Sequence, residues 1–361
     1  MIAAGPGEWR TAWCEDGQVV ELHIERGDSP PPGSVHQGRV VRLVAGLGAA
    51  LVDIGAGRPG FLPIREPLDE GARVVVEVRR EAQRDKGALL ALRVATPLAA
   101  PLGFAGALAL RLPAAPDRVV TDDIALLPEL RGGFSDAEIA NAERRDWPLD
   151  LDAQFELALA PTITLPGGGS LQIEETQAGV LIDVDTGSPE TGSAERNAMA
   201  TNREAAAAIA RQFRLRQLGG GIIVDFAALQ GRRPREQVRQ AMDAVLAGDP
   251  AQPQVLGWTR LGHLEIVRPR RLRSLADAML EPQTVHKNAA ALAFECLRAA
   301  AREARAQPSA AWRLVVRADV AAALRGSAAA GLRALEDRLG RTLALETAPD
   351  RTLRPFDIVP L

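Results

Sequence analysis

The sequence predicts a multidomain α+β protein, with a small closed barrel in its N-terminal third and a mixed strand and helix region after it. Three observations lead there. The chain has 361 residues, enough for two or three domains with sizeable cores. Residues 34–98 hold five short apolar runs punctuated by glycines at 46, 48, 55, 57, 60 and 87. Beyond residue 160, strand-like and helix-like segments alternate.

Taken in order, Glu8 to Cys14 and Val19 to Ile24 flank Glu15-Asp16-Gly17, which is a hairpin signal. Asp28-Ser-Pro-Pro-Pro-Gly33 reads as a linker, because consecutive prolines cannot join a central strand. The five runs that follow (35–44, 49–54, 60–62, 73–78 and 88–94) fit a barrel of the OB type. Residues 95–115 are rich in Ala, Leu and Pro and read as a connector or short helix. Arg118 to Thr121 is a strand, and Asp122 or Asp123 is placed to cap a helix through Leu130. Ser135-Asp-Ala-Glu138 carries a capping signature for another helical segment.

Leu171 to Ile173 and Gly179 to Val184 make a second hairpin, followed by a helix from about Asn202 to Gln217. Gly219-Gly-Gly reads as that helix's C-cap and the turn into a strand, Ile222 to Phe226. It lacks the Lys-Ser/Thr ending of a phosphate-cradling loop. A helix at Pro234 to Leu246, strands at Val255 to Trp258 and Leu264 to Val267, helices near 287–306 and 317–339, and a strand near Trp312 to Val316 complete the chain. The expected divisions are 1–33, 34–99, 100–160, 161–280 and 281–361.

Composition excludes several classes. The proportions, 47% hydrophobic and 25% charged, are those of a globular protein. A net charge of −3 announces no polyanionic or membrane partner, so any basic site must be local. Cys14 and Cys296 are too few for a disulfide framework or a four-thiolate zinc site within one chain. No basic stretch leads into an apolar run at the start, and no apolar segment approaches the ~20 residues of a membrane span. A soluble, cytoplasmic protein is expected. Lys86 and Lys287 are the sole lysines, so nearly all positive charge is arginine.

Two strands end in carboxylates: Val180-Leu-Ile-Asp183-Val-Asp185 and Ile222-Ile-Val-Asp225. Alternation puts Asp183 and Asp185 on one face. If the strands pair, Asp225 joins them, and such a cluster repels itself unless a cation neutralises it. A hard ion such as Mg²⁺ suits one or two carboxylates plus waters. The other reading is that these aspartates cap turns at Thr186-Gly187 and Ala227. Between Arg203 and Arg273 there are thirteen arginines against six acidic residues, a basic excess that suits a polyanion. Arg211 and Arg214, three apart on the predicted helix, are candidate contacts for that polyanion. In the barrel, Phe61 is either a base-stacking platform or core, and Arg39, Arg42 and Lys86 either track phosphates or are solvated. His36 and His263 lack metal-ligand spacing and read as structural.

In their order these segments resemble the ribonuclease E/G family over most of the chain. The resemblance rests on Val35-His-Gln-Gly-Arg-Val-Val-Arg42, Ala49-Ala-Leu-Val-Asp-Ile-Gly55, Gly60-Phe-Leu-Pro63 and Leu165-Pro-Gly-Gly-Gly-Ser170. It continues through Ile182-Asp-Val-Asp-Thr-Gly187, Thr201-Asn-Arg-Glu-Ala-Ala206, Ile209-Ala-Arg-Gln-Phe-Arg-Leu-Arg216, Ile222-Ile-Val-Asp-Phe226 and Leu261-Gly-His-Leu-Glu265. It implies an OB-fold RNA-binding barrel inserted in a reduced RNase H-like region, then a DNase I-like catalytic region and a small C-terminal domain. It further implies an endoribonuclease in which Asp183 and Asp225 hold Mg²⁺ and activate water for attack on single-stranded RNA. Phe61 and Lys86 match RNA-contacting barrel positions.

The chain departs from the family pattern at several points. Asp185 stands where the family usually has an assisting asparagine, and Leu51 where a second stacking aromatic is frequent. The Val-Arg-Thr segment that reads a 5′-monophosphate is not found, so no strong 5′-end sensing is expected. Residues 281–288, Glu-Pro-Gln-Thr-Val-His-Lys-Asn, hold no Cys-Pro-x-Cys element, so no zinc is expected and any homodimer forms by other contacts. The alternative is an RNA-binding protein that retains the nuclease fold and has lost efficient cleavage.

Overall fold

The computed structural model describes residues 1–5, 8–26, 29–64, 66–83, 86–93, 102–187, 193–280, 289–348 and 356–361. Asp28 of the expected linker, residues 95–101 of the expected 95–115 connector and the 281–288 stretch lie outside the described residues. Contacts divide the chain into two compact units, 1–282 and 283–361.

Strands β1 (Ile2–Gly5), β2 (Glu8–Glu15) and β3 (Gln18–Glu25) open the first unit. The β2–β3 hairpin forms as expected, turning at Asp16 and Gly17, both at positive φ. Next, β4 (Val35–Val44), β5 (Ala49–Asp53), β6 (Gly60–Pro63), β7 (Arg73–Arg80) and β8 (Leu89–Leu92) close a barrel in the order β4-β5-β6-β8-β7. Alternation drives it, since Val40, Val52, Leu62, Val76 and Leu90 point inward and are buried.

The chain then returns to the first sheet through α1 (Phe104–Arg111), β9 (Arg118–Thr121), α2 (Leu127–Gly133), β10 (Glu138–Asn141) and α3 (Leu151–Leu159). The sheet order is β10-β9-β1-β2-β3. Asp123 caps as expected, accepting from Ala125 N–H in the short 3₁₀ turn Ile124–Leu126 that leads into α2. The capping signature at Ser135 does not start a helix: Glu138 to Asn141 pair in parallel with Arg118 to Thr121. Sheet pairing overrides a local cap signal there.

A second sheet follows, built from β11 (Thr162–Thr164), β12 (Ser170–Glu175), β13 (Val180–Asp185), β14 (Gly220–Asp225), β15 (Gln254–Trp258) and β16 (Leu264–Arg268). Its order is β11-β12-β13-β14-β16-β15, with β13 and β14 parallel and the other neighbours antiparallel. A parallel pair needs a long crossover, supplied by α4 (Ala194–Leu215). This helix begins eight residues before the sequence reading, where Ser193 caps it by accepting from Arg196 N–H. Its left-handed exit is carried by Gln217, at φ 55°, and not by the Gly219 run. Helices α5 (Arg232–Leu246) and α6 (Leu275–Met279) follow β14 and β16. Ile209, Phe213, Ile222, Val238 and Met242 build the core between sheet and helices.

The second unit holds α7 (Ala289–Ala306), β17 (Trp312–Val316), α8 (Ala318–Arg325), α9 (Ala329–Leu339), β18 (Ala344–Thr347) and β19 (Phe356–Pro360), with sheet order β18-β17-β19. The single helix expected at 317–339 is two, broken at Gly326, which accepts no continuation and caps α8. Cys296 is in this unit's core, its thiol pushed up to about 12 by burial, so it stays protonated and inert. No described helix is long and apolar enough to cross a membrane.

One buried cation joins the barrel to the rest of its unit. Arg111, at the end of α1, pairs with Glu25 of β3 and, at 2.7 Å, with Glu81 just beyond β7. It also donates to Ser29 O at 2.7 Å. Glu81 in turn accepts from Arg273 N–H at 2.9 Å, while its own N–H donates to Arg271 O at 3.0 Å. The barrel exit, the first sheet and the end of the second sheet's chain therefore meet at one guanidinium. Removing one partner of a buried pair costs about 3–5 kcal/mol, so Arg111→Ala should lose that much in urea unfolding of the first unit.

Burial pushes the Glu81 carboxyl above the ordinary glutamate range, against the opposing pull of Arg111 and the Arg273 N–H. The neighbouring Glu25 carboxylate pushes in the same direction as burial, by less. With its folded-state pKa raised, Glu81 contributes stability that is full below the unfolded pKa and is lost as pH rises through the raised value. The urea midpoint should decline over that window, and Glu81→Gln should flatten the decline.

Candidate active site

The site follows from the register of β13 and β14. Strand β13 buries Val180, Ile182 and Val184 and exposes Leu181, Asp183 and Asp185. Strand β14 buries Ile222 and Val224 and exposes Asp225 at its end. The parallel ladder places Asp183 opposite Asp225. Paired residues in a ladder point to the same side, so both carboxylates emerge together at the C-terminal ends of the two strands. They open on a cleft of about 350 Å³ lined also by Phe226, Arg235, Trp258 and Leu261.

The antiparallel ladder between β14 and β16 pairs Val224 with Leu264, which brings the preceding His263 to Asp225. His263 Nε2 lies 3.5 Å from Asp225 Oδ2. The turn that holds it is closed by Thr259, whose N–H donates to His263 O at 2.8 Å and whose hydroxyl accepts from His263 N–H at 3.1 Å. Sequence reading took His263 as structural; its place at the site depends on a strand pairing that the sequence does not display.

Asn202 is a functional residue that the sequence reading gives no role of its own. It is fully buried on α4, and its side chain donates to Ala227 O and accepts from Ala227 N–H, both at 2.9 Å. That two-bond clamp fixes the backbone two residues after Asp225. Two turns support the other strand. Gly187 N–H donates to Asp185 Oδ1 at 2.7 Å, and Gly167 N–H donates to Glu204 on α4 at 2.8 Å. Gly187 has φ 67°, and a Cβ there would lie 2.5 Å from Gly168 O, so these two loops pack backbone to backbone.

The three-carboxylate cluster is corrected. Among the described residues no group of three or more Asp, Glu, His or Cys converges as a metal site. Asp185 shares the face of Asp183 but has turned one oxygen to its own loop, a local bond that is cheaper than adding a third charge.

Elsewhere, Arg214 on α4 pairs with Glu15 at 2.6 Å and Glu21 at 2.8 Å, and Arg211 donates to Val19 O at 3.3 Å; both tie the helix to the β2–β3 hairpin. In the barrel, Phe61 is half-buried beside Leu51 in the β5–β6 ladder, and Leu51 faces Arg42 on β4. Phe61 N–H donates to Ala88 O at 2.7 Å, so the turn carrying exposed Lys86 runs beside it. Arg39 is exposed one row away, opposite Asp53 and Arg73.

Fold and site together define a class: an α+β protein that couples a closed five-stranded barrel to an acidic cleft at the ends of a parallel strand pair. Residues 146–271, which include both aspartates, match the Ribonuclease E/G family. Ribonuclease E of Nostoc sp. is 41% identical over 128 residues, covering 35% of this chain and 19% of that relative, so the chain spans about a fifth of its length. Ribonuclease G of Escherichia coli is 24% identical over 482 aligned positions covering 99% of both chains, and ribonuclease G of Haemophilus influenzae is 25% identical over 78% of this chain and 81% of its own. The chain is thus similar to the Ribonuclease E/G family most clearly over residues 146–271, and more distantly along its whole length.

Replacing Asn202 by Ala would strand a buried N–H and a buried C=O, each worth about 1–3 kcal/mol. Asn202→Ala should therefore lower the unfolding free energy by about 2–4 kcal/mol in denaturant titration, and Asn202→Asp, which sets a buried carboxylate oxygen against Ala227 O, by at least as much.

Proposed function

We propose that the protein is a cytoplasmic endoribonuclease that cleaves single-stranded RNA in RNA processing or decay, using a divalent cation, Mg²⁺, held by Asp183 and Asp225. The observation that carries this reading is the in-register placement of the two carboxylates on one open face. Two oxygen donors on a water-accessible cleft fit a hard cation that keeps several waters. A cation held there would supply the Lewis acidity that phosphodiester hydrolysis requires. The names of the relatives, ribonuclease E and ribonuclease G, agree with RNA as substrate.

The chain's own residues supply the rest. Asn202 fixes the Ala227 backbone and with it the direction of Asp225. His263 Nε2, 3.5 Å from Asp225 Oδ2, stands beside the same carboxylate. Phe61, with Lys86 and Arg39 nearby on the barrel surface, offers a base platform flanked by cations. We read the first sheet as the reduced RNase H-like region and the second as the DNase I-like region. Hydrolysis by water would leave a 5′-phosphate and a 3′-hydroxyl.

The test is cleavage of an end-labelled A/U-rich single-stranded RNA with Mg²⁺ and with EDTA. Wild type should give internal cuts only with the metal. Asp183→Asn and Asp225→Asn should each lower the rate by at least 10²-fold while RNA binding in EDTA holds or strengthens. Tight binding without products would favour the RNA-binding alternative.

A further inference from the structure

Most of the arginines around the second sheet are already engaged. Arg268 is buried against Asp249 at 2.7 Å, Arg270 donates to Gly219 O at 2.6 Å, and Arg216 donates to Ala160 O at 2.7 Å. On α5, Arg239 takes both nearby carboxylates, Glu236 at 2.6 Å and Asp243. One turn earlier Arg235 has neither: among the described residues no carboxylate or carbonyl bonds its guanidinium, although it lines the cleft with Asp183 and Asp225. Its Cζ stands 5.7 Å from the Trp258 ring centroid instead.

Trp258 is itself held by packing. Its indole N–H is buried with no acceptor among the described residues, and its ring meets Phe226, the residue after Asp225, at 6.1 Å. The stack Phe226–Trp258–Arg235 therefore links the acidic strand end to a cation whose charge is not neutralised by the protein. A ring face attracts a guanidinium without consuming its hydrogen-bond donors. The planar fork remains available for an oxyanion, for which it is matched bidentately. Arg232, Arg233 and Arg260 are exposed on the first turn of α5 and the β15–β16 turn, extending the positive edge.

We propose that Arg235 is a substrate-contacting residue that binds a non-bridging oxygen of the RNA phosphodiester in the cleft, and that Trp258 is the positioning residue that aims it. This deepens the reading of the same cleft given above. Two carboxylates repel a phosphodiester, and Arg235 is a cation that lines the same cleft with its hydrogen-bond donors unspent.

The test has an arm that does not need cleavage. Binding of a 12-nucleotide RNA is measured in EDTA against NaCl concentration, where each phosphate contact adds about one unit to the slope of log K on log salt. Arg235→Gln should lower that slope by about one and Arg235→Lys should keep it, with Arg131→Ala on α2 as a charge-loss control that changes nothing. In the cleavage assay Arg235→Gln should reduce kcat by about 10²-fold, the loss typical of one preorganised donor to developing charge. Arg235→Lys should recover only part of this, lacking the fork. Trp258→Leu should keep the salt slope yet lower kcat about tenfold, a split that simple destabilisation would not give. An unchanged slope for Arg235→Gln overturns the proposal. If wild type fails to cleave, the Mg²⁺ reading falls while the binding arm still decides the role of Arg235.

Discussion

The parallel register of β13 and β14 is the constraint from which the site follows. It forces two like charges, Asp183 and Asp225, side by side at the strand ends, an arrangement that destabilises a sheet. It also requires a crossover long enough to span the sheet, and α4 provides it as a 22-residue helix. The same helix then repays the strain locally: Asn202 clamps the backbone past Asp225 and Glu204 clamps the loop that faces Asp185. The crossover is thus both the cause of the juxtaposition and the brace that holds it. Water at the open cleft screens the two carboxylates, which explains why the pair tolerates exposure but would not tolerate burial.

The distribution of arginine shows how a sequence-level charge excess divides once the chain folds. The thirteen arginines between 203 and 273 look like one basic surface. In the structure Arg214, Arg216, Arg268 and Arg270 are consumed by carboxylates or carbonyls of other segments, and Arg239 by two carboxylates of its own helix. The guanidinium is suited to this, since it carries several donors and can be buried charged when each finds an acceptor. Cations left over concentrate at the start of α5, where the helix N-terminus favours anions as well.

Much of this architecture was legible because it depends on local patterns. The barrel strands alternate and are broken by glycines, the β2–β3 and β12–β13 hairpins have short turns, and Asp183 and Asp225 each close an apolar strand. What escaped reading depends on partners distant in sequence. Strand β1 has four residues and gains its parallel partner β9 more than a hundred positions later. The Ser135 signature was sound as local chemistry yet lost to pairing with β9. His263 has no ligand-like spacing to anything and reaches Asp225 only through the β14–β16 ladder. Arg211 and Arg214 occupy one helix face as spacing requires, but which surface that face meets was fixed by the hairpin carboxylates Glu15 and Glu21.

Arg111 ties the barrel to the rest of its unit although the barrel's own core is closed. A barrel satisfies its strands internally and needs no neighbour, so its placement must come from contacts at its ends. Glu81 leaves β7 and meets Arg111 from α1 and the backbone of Arg273, while Gln83 donates to Leu272 O at 3.2 Å. These bonds have low tolerance for displacement because the groups are buried, and a charge moved off its partner there has no water to replace it. Hydrophobic contact would let the barrel slide at small cost; a buried guanidinium with partners from three segments does not. Polar bonds at the end of β7 therefore link the barrel to the segment that leaves β16, in addition to the covalent chain.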